Sequence, residues 1–421
     1  MPQLAINDGP KLRTKPFPSW PIFDERDLQA LSEVLNSGHW SSIHGDRVKA
    51  FGAAFADFHH ARFAIPVNSG TAALEISLQA VGVRPGDEVI VPPYTFVATA
   101  SAALAVGAIP VFADIDANTY CLDPRKAEAA ITERTRAIVP VHLGGCPADM
   151  DSFLALASCH GLAIVEDAAQ AHGAEWKGRR VGAIGDAGCF SFYSSKNLTC
   201  GEGGAIVTDS QQVEEMAWSL HNCGRRRDGA WYSHYLPGGN LRMTEFQAAL
   251  LLSQMARLEE QMALREANTA HLSSLLAEVE GITPLSLTPG ATRHAHHLFI
   301  FKYQAETFQG IPRHLFIQAL AAEGIPCTPG YLPLYREPLF REAKDFHPFP
   351  NRLDYSRVSC PEAEKACDEE AVWLQHHRLL LGTRQDVENI AAAIVKVKEN
   401  AGELATRRKT RQASRSQGKG G

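Results

Sequence analysis

Two segments of the chain carry residues suited to binding a phosphate and a cation. VNSGTAALEISLQ ends a predicted strand and opens a predicted helix, so Gly70 and Thr71 would offer free backbone N–H groups at the positive helix end. IVEDAAQAHGA puts Asp167 at the carboxyl end of an apolar strand, the edge where open α/β sheets bind ligands. Each signal alone is weak, because such residues often serve only as helix caps.

Two further segments are loops rich in small residues. FSFYSSKNLTCGEGGAIVTD places Ser191 and Lys196 between two predicted buried strands. The second loop is a Gly-rich turn that carries Asn240 and Arg242 just before a predicted helix. A loop lysine is usually solvated, but a lysine held against a pocket can lose its proton and act as a nucleophile.

These residue types together match one cofactor. A lysine that forms a Schiff base, a strand-end carboxylate that pairs with a pyridinium nitrogen and a phosphate cradle at a helix N-terminus are what pyridoxal 5'-phosphate (PLP) requires. The sequence has no GxGxxG after a strand, no GxxxxGK[ST], no GxSxG and no HExxH, which argues against several other enzyme classes. Its 17 histidines show no metal-ligand spacing, and we expect no metal.

The predicted elements around these residues form an α/β protein. From 64 to 209, short runs rich in β-branched residues alternate with helical patterns, which is typical of a parallel sheet covered on both faces. A single long helix is predicted over 244–281, and an α+β pattern follows from about 295 to 400. The predicted units are a large domain with the N-terminal segment (1–270), a small C-terminal domain (271–405) and a basic, disordered tail (406–421).

Composition limits the partners and the compartment. The 421 residues carry a formal charge of -6, which offers no field for binding nucleic acid, so small molecules are the expected partners. Nine cysteines without paired spacing favour a reducing compartment. There is no signal-peptide core and no run of about 18 apolar residues, so we predict a cytoplasmic protein that does not enter the membrane.

Five motifs occur in an order that resembles the DegT/DnrJ/EryC1/StrS aminotransferases: NSGTAAL, PPYTFVATA, VEDAAQAHGA, FSFYSSKNLTCGEGGA and NLRMTEFQAALLL. The resemblance runs from about Lys15 to about Glu403. It implies a fold-type I PLP-dependent enzyme, with a mostly parallel seven-stranded sheet between helices and a smaller α+β domain. It also implies amino transfer from L-glutamate or L-glutamine to a keto sugar, including nucleotide-linked ones, or to a keto cyclitol. The expected mechanism is ping-pong through pyridoxamine phosphate.

The resemblance also assigns roles to individual residues. Lys196 would form the Schiff base and move the proton, while Asp167 would pair with the pyridine nitrogen. Gln170 would bind the 3'-oxygen, and Phe96 and Ala169 would lie on the two faces of the ring. The cofactor phosphate would be held by four residues: Gly70, Thr71, Ser191 and Asn240, the last reaching in from the second subunit of a homodimer with shared active sites.

The substrate side is less defined. KPFPSWP at 15–21 is similar to the openings of cyclitol and aminoshikimate-type members, as well as of some uncharacterised sugar aminotransferases. Tyr331 and Tyr335 stand where many nucleotide-sugar members carry histidines, which argues for a different acceptor. Ordinary packing of both tyrosines against their apolar neighbours is the open alternative. The remaining candidates for the donor or acceptor pocket are Trp40, His44 and Arg242.

An alternative function is a non-catalytic or regulatory PLP-binding protein of the same fold. A branch of the family that carries histidine in place of the lysine dehydrates sugars, and Lys196 argues against that branch.

Overall fold

The computed structural model describes residues 3–230, 232–342, 349, 353–374 and 378–404. The predicted tail at 406–421 lies outside these residues and stays a prediction.

A seven-stranded sheet lies at the centre of the larger part of the molecule. The strands up to residue 208 are β1 (Phe63–Val67), β2 (Glu88–Val91), β3 (Ile109–Phe112), β4 (Thr135–Ile138), β5 (Ala163–Asp167), β6 (Glu175–Trp176), β7 (Arg179–Arg180), β8 (Ala187–Ser191) and β9 (Gly204–Thr208). Seven of them pair in the order β1-β9-β8-β5-β4-β2-β3. Only β9 runs antiparallel to its neighbours in this sheet. The prediction of a mostly parallel seven-stranded sheet is therefore confirmed.

Helices cover the sheet, and polar caps begin most of them. They are α1 (Glu25–Ser37), α2 (Arg47–Phe58), α3 (Gly70–Ala80), α4 (Ala98–Ala105), α5 (Pro124–Ala129), α6 (Met150–His160) and α7 (Gln211–His221). Asp24, Ser69, Asp123, Asp149 and Ser210 each accept a hydrogen bond from the first turn of the helix that follows. The strands β2 and β9 are buried along their whole length, as expected for a sheet covered on both faces.

The predicted single helix over 244–281 is wrong, because the structure has two helices there. They are α8 (Glu245–Met255), which begins with a Thr244–Gln247 capping box, and α9 (Leu258–Leu276). The break lies at Arg257, whose backbone leaves the helical conformation (φ -112°, ψ 0°). Its buried guanidinium pairs with Asp27 (2.9 Å) and Asp24 (3.0 Å) at the start of α1. No glycine or proline marks this break, so the sequence gives no signal for it.

A smaller antiparallel sheet lies in the C-terminal part. The elements there are β10 (Ile282–Pro284), β11 (Ala291–Arg293), β12 (Phe299–Tyr303), α10 (Arg313–Ala322), β13 (Cys327–Thr328), α11 (Pro338–Arg341), α12 (Pro361–Lys365), β14 (Ala371–Leu374) and α13 (Arg384–Glu399). Four of the strands pair in the order β10-β12-β14-β13. The short strands β11, β6 and β7 form a third sheet. In the described part of the chain, no helix combines the length and the apolar character needed to cross a membrane.

Buried apolar residues form two clusters, one around each main sheet. Leu4 and Phe17 belong to the smaller cluster, together with side chains of α10 and α13. A buried ion pair between Arg13 and Asp386 (2.7 Å) ties the N-terminal segment to the start of α13. Leu4, Arg13 and Phe17 thus pack against the smaller core, whereas the Trp20 indole donates to the Ser194 carbonyl (2.8 Å) beside the large sheet. The grouping of the N-terminal segment with the larger domain stays a prediction. The division at residue 271 stays a prediction.

Candidate active site

The predicted site residues meet at the carboxyl edge of the large sheet. Asp167 and Ser191 are the last residues of β5 and β8, and Gly70 opens α3 directly beyond β1. Lys196 lies in the connection between β8 and β9. Because the carboxyl ends of parallel strands share one edge, the fold brings residues more than 100 positions apart to the same place.

Small residues let the start of α3 pack closely against β8 and β9. A Cβ added to Gly70 would lie 2.7 Å from Cβ of Ser191, so no larger residue fits without displacing the end of β8. A Cβ at Gly204 would lie 2.3 Å from the Ser69 carbonyl oxygen. Ser69 caps α3 by accepting from the Ala72 N–H group (3.1 Å). The helix N-terminus therefore lies directly beside Ser191, and its free N–H groups together with the Ser191 hydroxyl form a cradle that suits a phosphate.

Asp167 is a buried carboxylate with fixed orientation. It is 6% exposed. The Thr99 hydroxyl donates to Oδ2 (2.7 Å), and the Ala169 N–H group donates to Oδ1 (3.2 Å). Thr95 and Thr99 also share a hydrogen bond (3.0 Å). Sequence reasoning missed Thr99 although it lies on α4 within the PPYTFVATA motif, because only Phe96 of that motif was assigned a role.

Lys196 lies close to this carboxylate. Burial lowers the pKa of its ammonium group to about 8, although the nearby Asp167 charge acts in the opposite direction. His172 packs against the rings of Phe190 and Phe192, with centroids 5.6 and 5.7 Å away. Burial and the charge of Lys196 lower the pKa of His172 to about 3, so this imidazole is neutral. A fraction of the Lys196 side chains therefore carries a neutral amine near physiological pH.

The buried residues His142 and Glu166 form a pair that supports the end of β5, where Asp167 lies. His142 Nδ1 accepts from the Ala148 N–H group (3.0 Å), so Nε2 carries the proton and donates to Glu166 (2.9 Å). Glu166 also accepts three backbone N–H groups from 182–185, each at 2.7 Å. Burial raises the pKa of Glu166, but its hydrogen bonds outweigh this and hold the pKa below the ordinary value. The His142 backbone N–H group in turn donates to the Asp167 carbonyl (3.1 Å).

Sequence reasoning did not identify this pair as part of the site. Two signals were present: His142 closes a predicted strand, and Glu166 directly precedes Asp167. Neighbouring residues on a strand point to opposite faces of the sheet. Asp167 therefore faces the site, whereas Glu166 lies on the other face and binds the backbone of 182–185.

The residues assigned to the cofactor ring lie around Asp167. Phe96 comes just before α4 and is 57% exposed, which leaves its ring free to stack. Ala169 and Gln170 form the turn after β5. Gln170 accepts from the Gly144 N–H group (2.6 Å) and donates to the Tyr331 hydroxyl (3.0 Å).

The structure separates the two tyrosines that the sequence paired. Tyr331 contacts Gln170 and therefore lies at the site. Tyr335 is 1% exposed, packs against Phe112, and donates from its hydroxyl to Glu364 (2.5 Å). Both rings pack against aromatic neighbours, and the two tyrosines differ in what their hydroxyls meet: Gln170 for Tyr331 and Glu364 for Tyr335. A role of either tyrosine in substrate binding stays a prediction.

The other candidates make no hydrogen bond or ring contact with Lys196 among the described residues. The segment 240–242 runs beside the end of β1, where Arg242 donates to the Asn222 side chain (2.9 Å) and Asn240 is exposed. Trp40 packs on Phe246, with centroids 5.9 Å apart. The remaining candidate, His44, is exposed. Their roles in substrate binding stay predictions.

A sequence model of the DegT/DnrJ/EryC1/StrS aminotransferase family matches residues 21–395. The chain belongs to this family. L-glutamine:2-deoxy-scyllo-inosose aminotransferase from Streptoalloteichus tenebrarius is 40% identical over 429 residues, covering 95% of this chain and 99% of that protein. The 3-amino-5-hydroxybenzoate synthase of Amycolatopsis mediterranei is 39% identical over 382 residues, covering 90% and 96%.

Solved structures of DegT-family enzymes share the fold. The crystal structure of 3-amino-5-hydroxybenzoic acid synthase superposes with a TM-score of 0.84 at 37% identity, over 91% of this chain and 99% of that one. This agreement confirms the α/β fold expected from the resemblance, and the family membership makes the protein an aminotransferase.

Proposed function

We propose that this DegT-family aminotransferase uses PLP to move an amino group from L-glutamine or L-glutamate to the ketone of a keto cyclitol or keto sugar. The observation that carries the proposal is the Lys196 amine, with its lowered pKa, beside the Asp167 carboxylate and the Gly70–Ser191 cradle. The name of the Streptoalloteichus relative supports L-glutamine as the donor and a keto cyclitol as the acceptor.

The residues present fit PLP. The cradle excludes a Cβ at Gly70 and lies at a helix N-terminus, so Gly70, Thr71 and Ser191 would hold the phosphate. Asp167 lies at the end of the neighbouring β5, where its buried carboxylate would meet a ring nitrogen. Phe96 would cover one face of the ring.

Each residue then has a defined chemical task. When bound, PLP supplies an electron sink for the carbanion formed as the donor loses its α-proton. Asp167 would keep a proton on the ring nitrogen, since its hydrogen bonds from Thr99 and Ala169 hold it in place as an acceptor. Lys196 would take the proton from the donor carbon and return it, because an amine with a pKa of about 8 serves as both base and acid near neutral pH.

The direct test supplies the purified protein and PLP with L-glutamine or L-glutamate and an acceptor. The acceptors are scyllo-inosose, as a keto cyclitol, and a nucleotide-linked keto sugar. We expect the donor alone to change the absorbance of the bound cofactor, and the donor with one acceptor to give an amino product of the expected mass. A non-catalytic PLP-binding protein would show neither result, which would overturn the proposal.

We also propose that two copies share each active site, with Asn240 of one copy reaching the cofactor phosphate of the other. Support comes from the exposure of Asn240 and from its position on a segment beside the end of β1.

Mixing inactive variants tests this arrangement. A mixed dimer of Lys196→Ala and Asn240→Ala chains contains one site with both residues intact, so we expect activity to return when the two are refolded together. Each variant refolded alone is the control. If the mixture stays as inactive as its parts although mixed dimers form, Asn240 acts within its own chain.

A further inference from the structure

Both ends of the Gln170 side-chain amide are held by protein groups. The Gly144 N–H group lies 2.6 Å from Oε1, and the Tyr331 hydroxyl lies 3.0 Å from Nε2. A backbone N–H group can only donate, so the amide oxygen must face Gly144 and the NH2 group must face the other way. Chemistry alone therefore determines which way the amide points.

The NH2 group has two hydrogens, and Tyr331 accepts one of them. Among the described residues, Tyr331 is the one acceptor of a hydrogen bond from the Gln170 amide nitrogen. The second hydrogen of the amide is therefore available to a ligand. Gln170 is only three residues from Asp167, and the Asp167 charge acts on the Tyr331 hydroxyl. The amide and the Tyr331 hydroxyl therefore lie near the carboxylate that is proposed to meet the cofactor ring.

Tyr331 is itself held rigidly. Its ring makes edge contacts with Tyr94 (centroids 5.6 Å apart) and Trp373 (4.6 Å), and the Trp373 indole donates to the Tyr94 hydroxyl (2.8 Å). Gly330 has a φ of +84°, and a Cβ there would lie 2.5 Å from the Trp373 indole nitrogen. Burial raises the pKa of the Tyr331 hydroxyl, so it stays protonated and available as a neutral acceptor. A well-packed tyrosine in a fixed position is suited to orienting a neighbour.

We infer that Tyr331 is a positioning residue that, together with the Gly144 N–H group, holds the Gln170 amide so that its second hydrogen points at the 3'-oxygen of PLP. The inference rests on the proposed function. It gives Tyr331 a role on the cofactor side of the site, whereas the sequence had suggested an acceptor contact.

The expected consequence is spectroscopic. The protonated nitrogen of the lysine–cofactor linkage and the Gln170 amide compete to donate to the same 3'-oxygen, so a well-placed amide lowers the pH midpoint of the cofactor's absorbance change. In Tyr331→Phe the amide loses its clamp, and we expect this midpoint to rise by about half a pH unit.

The matched control is Tyr303→Phe, which removes a buried tyrosine hydroxyl that donates to the Ile311 carbonyl (2.7 Å) in the smaller core, and it should leave the midpoint unchanged. In a Gln170→Leu background, Tyr331→Phe should shift the midpoint no further, because the residue through which it acts is gone. This double-mutant cycle separates positioning from a general structural effect.

Four results can be told apart. A shift in Tyr331→Phe that disappears in the Gln170→Leu background supports the inference. An unchanged midpoint with a raised KM for the acceptor means that Tyr331 contacts substrate, and an equal shift in both backgrounds means that it acts independently of Gln170; either result overturns the inference and leaves the proposed function standing. Failure of the wild-type protein to bind PLP overturns the proposed function itself.

Discussion

Replacing Lys196 with alanine is expected to lower amino transfer by at least about 10⁴-fold. The substitution removes both the group that would bond the cofactor and the base that would move the proton, and the structure places no second lysine in the described part of the β8–β9 connection. The measurement is the rate of amino-product formation, together with borohydride reduction followed by peptide mapping. Reduction should label the peptide that carries Lys196.

Lys177 provides the matched control for this prediction. It is an exposed lysine of the same part of the fold, and its hydrogen bond with Asp151 raises its pKa. Lys177→Ala should leave the rate unchanged. A rate for Lys196→Ala within tenfold of the wild-type rate, or a label on another peptide, would contradict the assignment of Lys196.

Lys196 and Lys177 can also be compared in the cofactor-free protein, to test whether the pKa of the Lys196 amine is lowered. Lys196 has a pKa of about 8, so about a tenth of its amine is neutral at pH 7. Its reaction with a small amine-directed reagent should therefore increase with pH up to a midpoint near 8. Lys177 should need a more alkaline solution, because only the neutral amine reacts.

Replacing Asp167 with asparagine is expected to lower the rate by about 10³-fold, with little change in the amount of cofactor bound. Asparagine keeps the shape of the side chain and can still accept from the Thr99 hydroxyl, which lies 2.7 Å from the carboxylate. It removes the negative charge that would keep the ring nitrogen protonated. The readouts are kcat and the absorbance of the bound cofactor.

Thr99→Val is a milder variant for comparison with Asp167→Asn. It leaves the Asp167 charge in place but removes one of its hydrogen bonds, so we expect only about a tenfold loss of rate. If Asp167→Asn kept the wild-type rate, or if Thr99→Val were the more damaging change, the carboxylate would not be the partner of the ring nitrogen.

Much of this site could be predicted from the sequence because its residues lie next to element boundaries. Gly70 opens a helix, Asp167 and Ser191 close strands, and Lys196 lies in a loop between two apolar runs. Strand ends and helix starts are visible in a sequence as changes of periodicity and composition. Parallel strands then place these boundaries at one edge of the sheet, so local patterns sufficed to group them.

The supporting residues could not be found in this way. Thr99 belongs to the PPYTFVATA motif, but nothing in that motif shows that its hydroxyl meets Asp167, and Gly144 contributes only a backbone N–H group. The break at Arg257 depends on two aspartates more than 200 residues earlier in the chain. Tyr331 meets Gln170 and Tyr335 meets Glu364, and both partners are far away in the sequence, so local patterns could not distinguish the two tyrosines.

The sequence by itself determined the fold class through the order of its polar and apolar residues. Residue types at element boundaries, together with the family resemblance, indicated the sheet edge and the lysine, carboxylate and glycine there. The tertiary structure decided which groups orient them: Thr99 on Asp167, and Tyr331 with Gly144 on Gln170. The reason is physical. Hydrophobic periodicity and turn chemistry act between residues close in the chain, whereas the hydrogen-bond partners of buried polar groups are chosen by distance in space after the chain has folded.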